Sequence, residues 1–359
     1  MIYGVILAGG RGERFWPLSR KDRPKQFLRL TSDKMMLEET IERVLPLIGK
    51  DNIRIVTNED MRGFILDRVE GTTDQHIISE PVGRNTAPAI GLAAAHLAAA
   101  DPDAVMVVLS ADHLIRPADQ LLSILKTGTG IARAEESLIT IGIVPTRPET
   151  GYGYIKLGDL YKQQDNHAVH YVSGFTEKPR IAVAHDYYYS QNYLWNSGMF
   201  IWSATAILNA IRTCQPELGE LLDVYAEAIG SDGETAARRK FYEAVTPISI
   251  DFAVLEKATN VLTIKADMIW DDVGDWRALE RYKEMDSDRN VITGETVTLD
   301  TYDTTLINTQ DGLVACLGVS DLIVVRSDNI TLVAHRTRAE DIKKLLARLG
   351  EDEEHKKYL

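Results

Sequence analysis

The chain has 359 residues, 45% of them hydrophobic and 26% charged, and carries a formal net charge of −13, as expected of a folded globular protein. The negative balance argues against a general nucleic-acid or anionic-membrane binder, and no apolar run approaches the ~20 residues that a membrane span needs. Two cysteines, Cys214 and Cys316, cannot staple a chain of this size. The apolar start, residues 1–10, lacks the basic segment of a signal peptide, so the expected setting is a reducing cytoplasm.

Short apolar runs rich in β-formers alternate with helical patterns through the first half. Residues 3–8, 53–57, 76–79, 105–109 and 139–143 read as buried strands, with helices expected at 36–48, 60–69, 86–99 and 118–134. That alternation predicts an α/β fold, a doubly wound and mostly parallel sheet with ligands at the carboxyl ends of its strands. Asn85 and Thr86 stand where they cap the alanine-rich helix. Pro145, Pro148, Gly151 and Gly153 mark a loop. Strands are then expected at 154–157, 169–175 and 199–202, and helices at 204–212, 218–229 and 234–244.

Past residue 286 short β-like runs recur about every ten residues with turn residues between them. The pattern predicts a small C-terminal β appendage, a short β-helix or stacked hairpins, over 286–359, following a larger domain over 1–285. Thr337 and Glu340 spell a capping box for a final helix whose apolar face is Ile342, Leu345, Leu346 and Leu349, with Gly350 as its stop. The charged tail beyond is expected to fray.

Charge is unevenly distributed. Residues 1–30 hold seven basic side chains against Glu13 and Asp22, about +5, which leaves about −18 for the rest. The ordinary explanation is a solvated loop; the sharper one is a pocket for a compact polyanion such as a triphosphate. Gly9, Gly10 and Gly12 directly follow the first strand, so backbone N–H groups can turn toward an anion without Cβ interference. Arg14 and Lys25 can then neutralise phosphate oxygens. A dinucleotide fingerprint needs a glycine where Phe15 stands, and a P-loop needs one where Arg14 stands, so both motifs fail.

The run Leu7-Ala8-Gly9-Gly10-Arg11-Gly12-Glu13-Arg14-Phe15-Trp16-Pro17-Leu18, followed by Pro24-Lys25-Gln26-Phe27, resembles the signature of the sugar-phosphate nucleotidyltransferases. Its fuller spelling is similar to that of the mannose-1-phosphate guanylyltransferases, or GDP-mannose pyrophosphorylases. Glu80-Pro81-Val82-Gly83-Arg84-Asn85, Ser110-Ala111-Asp112-His113, Phe175-Thr176-Glu177-Lys178-Pro179, Trp195-Asn196-Ser197-Gly198, Ser249-Ile250-Asp251 and Trp270-Asp271-Asp272-Val273-Gly274 extend the resemblance to about residue 280. It implies a Rossmann-like nucleotidyltransferase fold and transfer of GMP from GTP to mannose 1-phosphate, giving GDP-mannose and pyrophosphate with Mg²⁺ as cofactor. A homodimer is implied as well.

By the same resemblance Arg14 and Lys25 are catalytic, and Leu7, Ala8, Gly9, Gly10, Gly12, Glu80, Arg84 and Asn85 line the nucleotide. Gly151, Glu177, Lys178 and Asn196 hold the sugar phosphate, and Asp112 and Asp272 hold the metal, with Asp271 and Asp275 near enough to leave the second ligand open. Asp251 falls in a matched motif without an assigned role. Phe15 and Trp16 are expected to brace the loop, and Trp195, Met199 and Phe200 to pack in the core.

Chemistry fits these roles. Mg²⁺ takes one or two carboxylates plus substrate phosphates. The Watson–Crick edge of guanine offers two donors, N1–H and the N2 amino group, and an ionised carboxylate only accepts, so Glu80 suits that base. The competing role for Glu80 is an ion pair with Arg84, and for Glu177 an ordinary surface pair with Lys178. Some longer members of the family carry a phosphomannose isomerase domain; residues 287–359 hold no histidine-rich cluster, so no isomerase activity is expected.

Overall fold

Buried β-branched and aliphatic runs, read in the sequence as strands, form one nine-stranded sheet in a computed structural model that describes residues 1–359. Its first members are β1 (Ile2–Leu7), β2 (Ile53–Asn58), β3 (Ile77–Glu80) and β4 (Val105–Ser110). After the short β5 (Leu114–Arg116), which lies outside this sheet, come β6 (Leu138–Ile143), β7 (Tyr154–Gln164), β8 (His167–Thr176), β9 (Tyr193–Ser203) and β10 (Val261–Ala266). The order is β3-β2-β1-β4-β9-β6-β10-β8-β7.

The β3-β2-β1-β4 half is parallel throughout, and β6 and β10 pair in parallel. Only β8 and β9 run against the rest. The strand expected at 199–202 is the end of the longer β9, which begins at Tyr193 and carries Asn196 and the buried Trp195, Met199 and Phe200.

Helices α1 (Met36–Ile48), α2 (Glu59–Arg68), α3 (Thr86–Ala100) and α4 (Ala118–Ala134) alternate with these strands. The alanine-rich α3 is buried on nearly every side, because small side chains let other elements approach closely. A Cβ at its Gly91 would sit 2.6 Å from Leu222, and such overpacking costs about 1–3 kcal/mol. A helix that the sequence pattern does not announce, α5 (Ile181–Ser190), is followed by α6 (Ala204–Cys214), α7 (Pro216–Ala226) and α8 (Glu234–Ala244). None of the helices is long and apolar enough to cross a membrane.

After the short β11 (Ile269–Asp271), the C-terminal strands are β12 (Val291–Thr293), β13 (Thr296–Tyr302), β14 (Thr305–Asn308), β15 (Val314–Ser320), β16 (Leu322–Ser327) and β17 (Ile330–His335). They stack as two ladders, β12-β14-β16-β17 and β13-β15, parallel except for the last hairpin. Asp303 and Asp321 turn the corners at φ 48° and 57°, which short polar side chains tolerate.

Two compact units result, and they do not follow a single cut at residue 285. One comprises Met1–Gly9, Thr40–Ala111 and Ile115–Trp270; the other comprises Gly10–Glu39, Asp112–Leu114 and Asp271–Leu359. The reason is packing. Phe15, Trp16, Leu28, Leu30 and Met36 share one apolar cluster with Trp276, Leu279, Ile307, Ile323 and Val325, so the glycine-rich loop and the appendage belong to the same unit.

The chain end departs from expectation. Helix α9 (Ile342–Gly350) includes Gly350, and Leu345 is exposed, whereas Ile342, Leu346 and Leu349 face the apolar cluster. The Thr337–Glu340 box does not form: His335 accepts from the Thr337 N–H, and Glu340 pairs with Arg277 at 3.0 Å. The tail does not fray either, since the Tyr358 carbonyl accepts from the Trp16 indole at 2.8 Å.

Candidate active site

In the second unit the glycine-rich loop builds a cavity of about 360 Å³ whose lining includes Arg11, Arg14, Lys25, Asp112, Asp272 and Lys343. Gly12 has φ 63°, and a Cβ there would overlap the Lys25 Cβ, so glycine is required on both counts. Phe15 and Trp16 are buried, Phe15 lying 5.1 Å from Trp276 between ring centroids. They brace the loop as expected. Arg14 donates to the Gly274 carbonyl at 3.1 Å. Gly274 itself leaves room for the Asp272 carboxylate and Arg14, both within 3.3 Å of where its Cβ would stand.

Lys25 follows Pro24 in a single 3₁₀ turn and is only 5% exposed. Its Nζ donates to Asp112 Oδ2 at 2.8 Å and to the Asp272 carbonyl at 2.7 Å. Burial pushes the Asp112 carboxyl up, but Lys25 and His113 beside it more than offset that, so it sits below the usual range and is ionised at neutral pH. The aspartates around 272 divide clearly. Asp271 is buried against Arg281 at 2.6 Å and accepts from the Val273 N–H. Asp275 caps the turn Trp276–Arg281 and pairs with Arg277. Asp272 alone of the three lines the cavity.

In the first unit Glu80 ends β3, 5% exposed, and accepts from the Tyr242 hydroxyl at 3.0 Å. Burial raises its pKa to about 7, partly offset by that hydrogen bond. A Cβ on Gly9 would lie 3.3 Å from Glu80 Oε2, so this glycine opens the approach to the carboxylate. The alternative ion pair is not made: Arg84 donates to the Tyr242 carbonyl at 3.0 Å instead. Sequence reasoning misses Tyr242, because nothing local links it to residues some 160 positions away. Asn85 caps α3 through the Thr86 N–H at 2.8 Å. The Leu7 carbonyl and the Ala8 N–H and carbonyl are engaged by the protein itself, and Gly10 borders open space.

The residues to which the resemblance gives the sugar phosphate lie in the first unit. Asn196 is held by Thr140 at 3.4 Å and donates to Asp251 Oδ1 at 2.7 Å. Burial raises the Asp251 carboxyl, with Glu177 adding to the rise and Asn196 opposing it. Asp251 therefore belongs to this cluster, as its matched motif hinted without giving a role. Lys178 follows β8 at φ 46° and pairs with Glu177. A Cβ on Gly153 would lie 2.5 Å from Glu177 Oε2 and 3.4 Å from Asn196, whereas one on Gly151 would lie 3.4 Å from Glu149 Oε1.

Residues 3–289 match the nucleotidyl transferase family model, and residues 294–349 match that of the mannose-phosphate isomerase/GMP-like β-helix domain. The mannose-1-phosphate guanylyltransferase of Escherichia coli is 36% identical over 99% of this chain and 77% of its own length. That of Klebsiella pneumoniae is 36% identical over 100% and 76%. Among solved structures, one from Thermus thermophilus described as a mannose-1-phosphate geranyltransferase superposes with a TM-score of 0.86 at 35% identity, covering 97% of this chain and 99% of that one. A Helicobacter pylori mannose-6-phosphate isomerase, at 23% identity, 75% and 99% coverage and a TM-score of 0.61, shares the fold.

Proposed function

Because the chain belongs to the nucleotidyl transferase family, with the mannose-1-phosphate guanylyltransferases as its relatives, we propose that it transfers GMP from GTP to α-D-mannose 1-phosphate. A phosphate oxygen of the sugar phosphate attacks the α-phosphorus of GTP; the new P–O bond completes GDP-mannose, and the α–β bond breaks to release pyrophosphate. Two anions must meet, so positioning and charge neutralisation carry the catalysis.

Arg14 and Lys25 neutralise phosphate oxygens, while Gly12 keeps the loop backbone close to them. The carboxylates of Asp112 and Asp272 line one cavity and offer the oxygen donors that Mg²⁺ prefers. No trio of His, Cys, Asp or Glu side chains forms a complete metal cage, which suits an ion that takes its other ligands from substrate. When bound there, Mg²⁺ would supply charge neutralisation for the phosphates. Glu80, ionised, accepts from guanine N1–H and N2–H. Glu177 and Asn196 bond sugar hydroxyls, and Lys178 holds the sugar's phosphate.

The observation that carries the reading is Lys25 fixed to both Asp112 and the Asp272 backbone in one cavity. A pyrophosphate-release assay with GTP, Mg²⁺ and either mannose 1-phosphate or glucose 1-phosphate tests it. Fast release with mannose 1-phosphate is expected. Release only with glucose 1-phosphate, or with neither, would overturn the assignment.

The reading includes a homodimer in the cytoplasm. Val297, Leu299 and Leu317 remain 56–69% exposed on the β13-β15 ladder, where Leu299 and Leu317 are register partners. Exposed apolar rows of this kind mark interaction surfaces. Light scattering should give a dimer that Leu299→Glu dissociates; a monomeric native protein would remove this element. Cys214 and Cys316 are both unpaired, consistent with a reducing compartment.

A further inference from the structure

We infer that Lys343, on the C-terminal helix α9, is a phosphate-binding residue that grips the pyrophosphate portion of the nucleotide; the inference rests on the function proposed above. Residue 343 lies beyond the matched nucleotidyl transferase segment, in the β-helix match. Its side chain nevertheless lines the same cavity as Arg14 and Lys25.

The charges facing that cavity show why it matters. Arg11, Arg14, Lys25 and Lys343 oppose Glu13, Asp112 and Asp272, so the lining carries a formal excess of one positive charge. Without Lys343 the side-chain charges of the lining cancel, and the surplus that draws in a polyanionic triphosphate would rest on a bound divalent ion alone. Lys25 is already tied to Asp112, and Arg14 to a backbone carbonyl. The neighbouring Lys344 pairs with Asp341 at 2.7 Å. Lys343 is exposed and makes no ion pair. A lysine with three donors, no carboxylate partner and a place in an anion-sized cavity is suited to phosphate oxygens.

Helix α9 is fixed well enough to hold it. Ile342, the preceding residue, is buried in the unit's apolar cluster, and Leu346 and Leu349 pack against that cluster. The appendage thereby contributes a functional cation as well as bulk.

The test is calorimetric titration of the full chain with inorganic pyrophosphate, alongside steady-state kinetics with GTP and mannose 1-phosphate. Lys343→Met should weaken pyrophosphate binding about fivefold and raise the KM for GTP similarly, with kcat nearly unchanged. Lys343→Arg should stay within about twofold of native. Lys344→Met should bind like the native protein, and the Lys343→Met defect should shrink in high salt. Native affinity in Lys343→Met, or no pyrophosphate binding by the native protein, would overturn the inference. A native protein that binds pyrophosphate through Lys343 yet makes no product would instead overturn the function proposed.

Discussion

Three carboxylates of the candidate site are shifted in opposite directions in the two units. Asp112 in the phosphate cavity is half-buried, yet Lys25 and His113 hold it below the ordinary range. Glu80 in the other unit has no such cation and Asp251 only a smaller opposing effect from Lys178, so burial drives both up. On the proposed roles, the side chain that stays charged opposite phosphates has a buried lysine beside it, and the one that accepts from a base is buried with a tyrosine hydroxyl, where a missing donor is costly. Phosphate handling should therefore be insensitive to pH near 7, and base selection sensitive to it.

The comparison predicts its largest effect at Asp112. Asp112→Asn should lower kcat/KM about 10²- to 10³-fold, the scale of losing one electrostatic contact in an acyl- or phosphoryl-transfer site, and should raise the Mg²⁺ concentration needed for half-maximal rate. Near-native turnover at ordinary Mg²⁺ would break the first half of the contrast. Next comes Glu80→Gln, whose amide presents a donor where guanine needs an acceptor. Competition between GTP and ATP should show the GTP preference falling by about 10- to 100-fold, and an unchanged ratio would remove Glu80 from base choice.

A smaller effect is expected at Gly153, where Ala would crowd Glu177 and Asn196. The KM for mannose 1-phosphate should rise about tenfold, while Gly151→Ala changes it little; the reverse ranking would make Gly151 the closer neighbour of the sugar. The pH effect is the smallest. With its pKa raised to about 7, Glu80 is protonated below that value and loses one acceptor. The KM for GTP should thus rise about fourfold from pH 8 to pH 6.5, and the profile of Glu80→Gln should be flat over that range. The same raised pKa means the folded protein prefers neutral Glu80, so this group's contribution to stability declines as pH climbs from about 4.5 toward 7.

Much of the fold is legible because strands β1 to β4 are compact apolar runs, helices α1 and α4 are amphipathic, and α3 is marked by its alanine-rich composition. Helix α5, a tyrosine-rich run, is missed, and so is the strand Val261–Ala266. The phosphate loop is legible in detail: glycines, basic residues and a preceding strand fall within some twenty positions. Features made by distant residues are not. Tyr242 against Glu80, Asp251 against Asn196, and an isolated exposed lysine at 343 acquire meaning only when the chain brings them together. Gly151 and Gly153 look alike in sequence, and only the position of Glu177 separates them. The C-terminal capping box does not form because His335 accepts from the Thr337 N–H and Arg277 engages the Glu340 carboxylate.

On the proposed function, the cavity around Lys25 is where phosphoryl oxygens are neutralised during transfer. The most direct measurement is the single-turnover rate of pyrophosphate formation from GTP and saturating mannose 1-phosphate, native protein beside Lys25→Met, with circular dichroism to verify folding. A folded Lys25→Met protein slowed about 10²- to 10³-fold in this step is the expected result. A folded variant that forms pyrophosphate at the native rate would contradict the account.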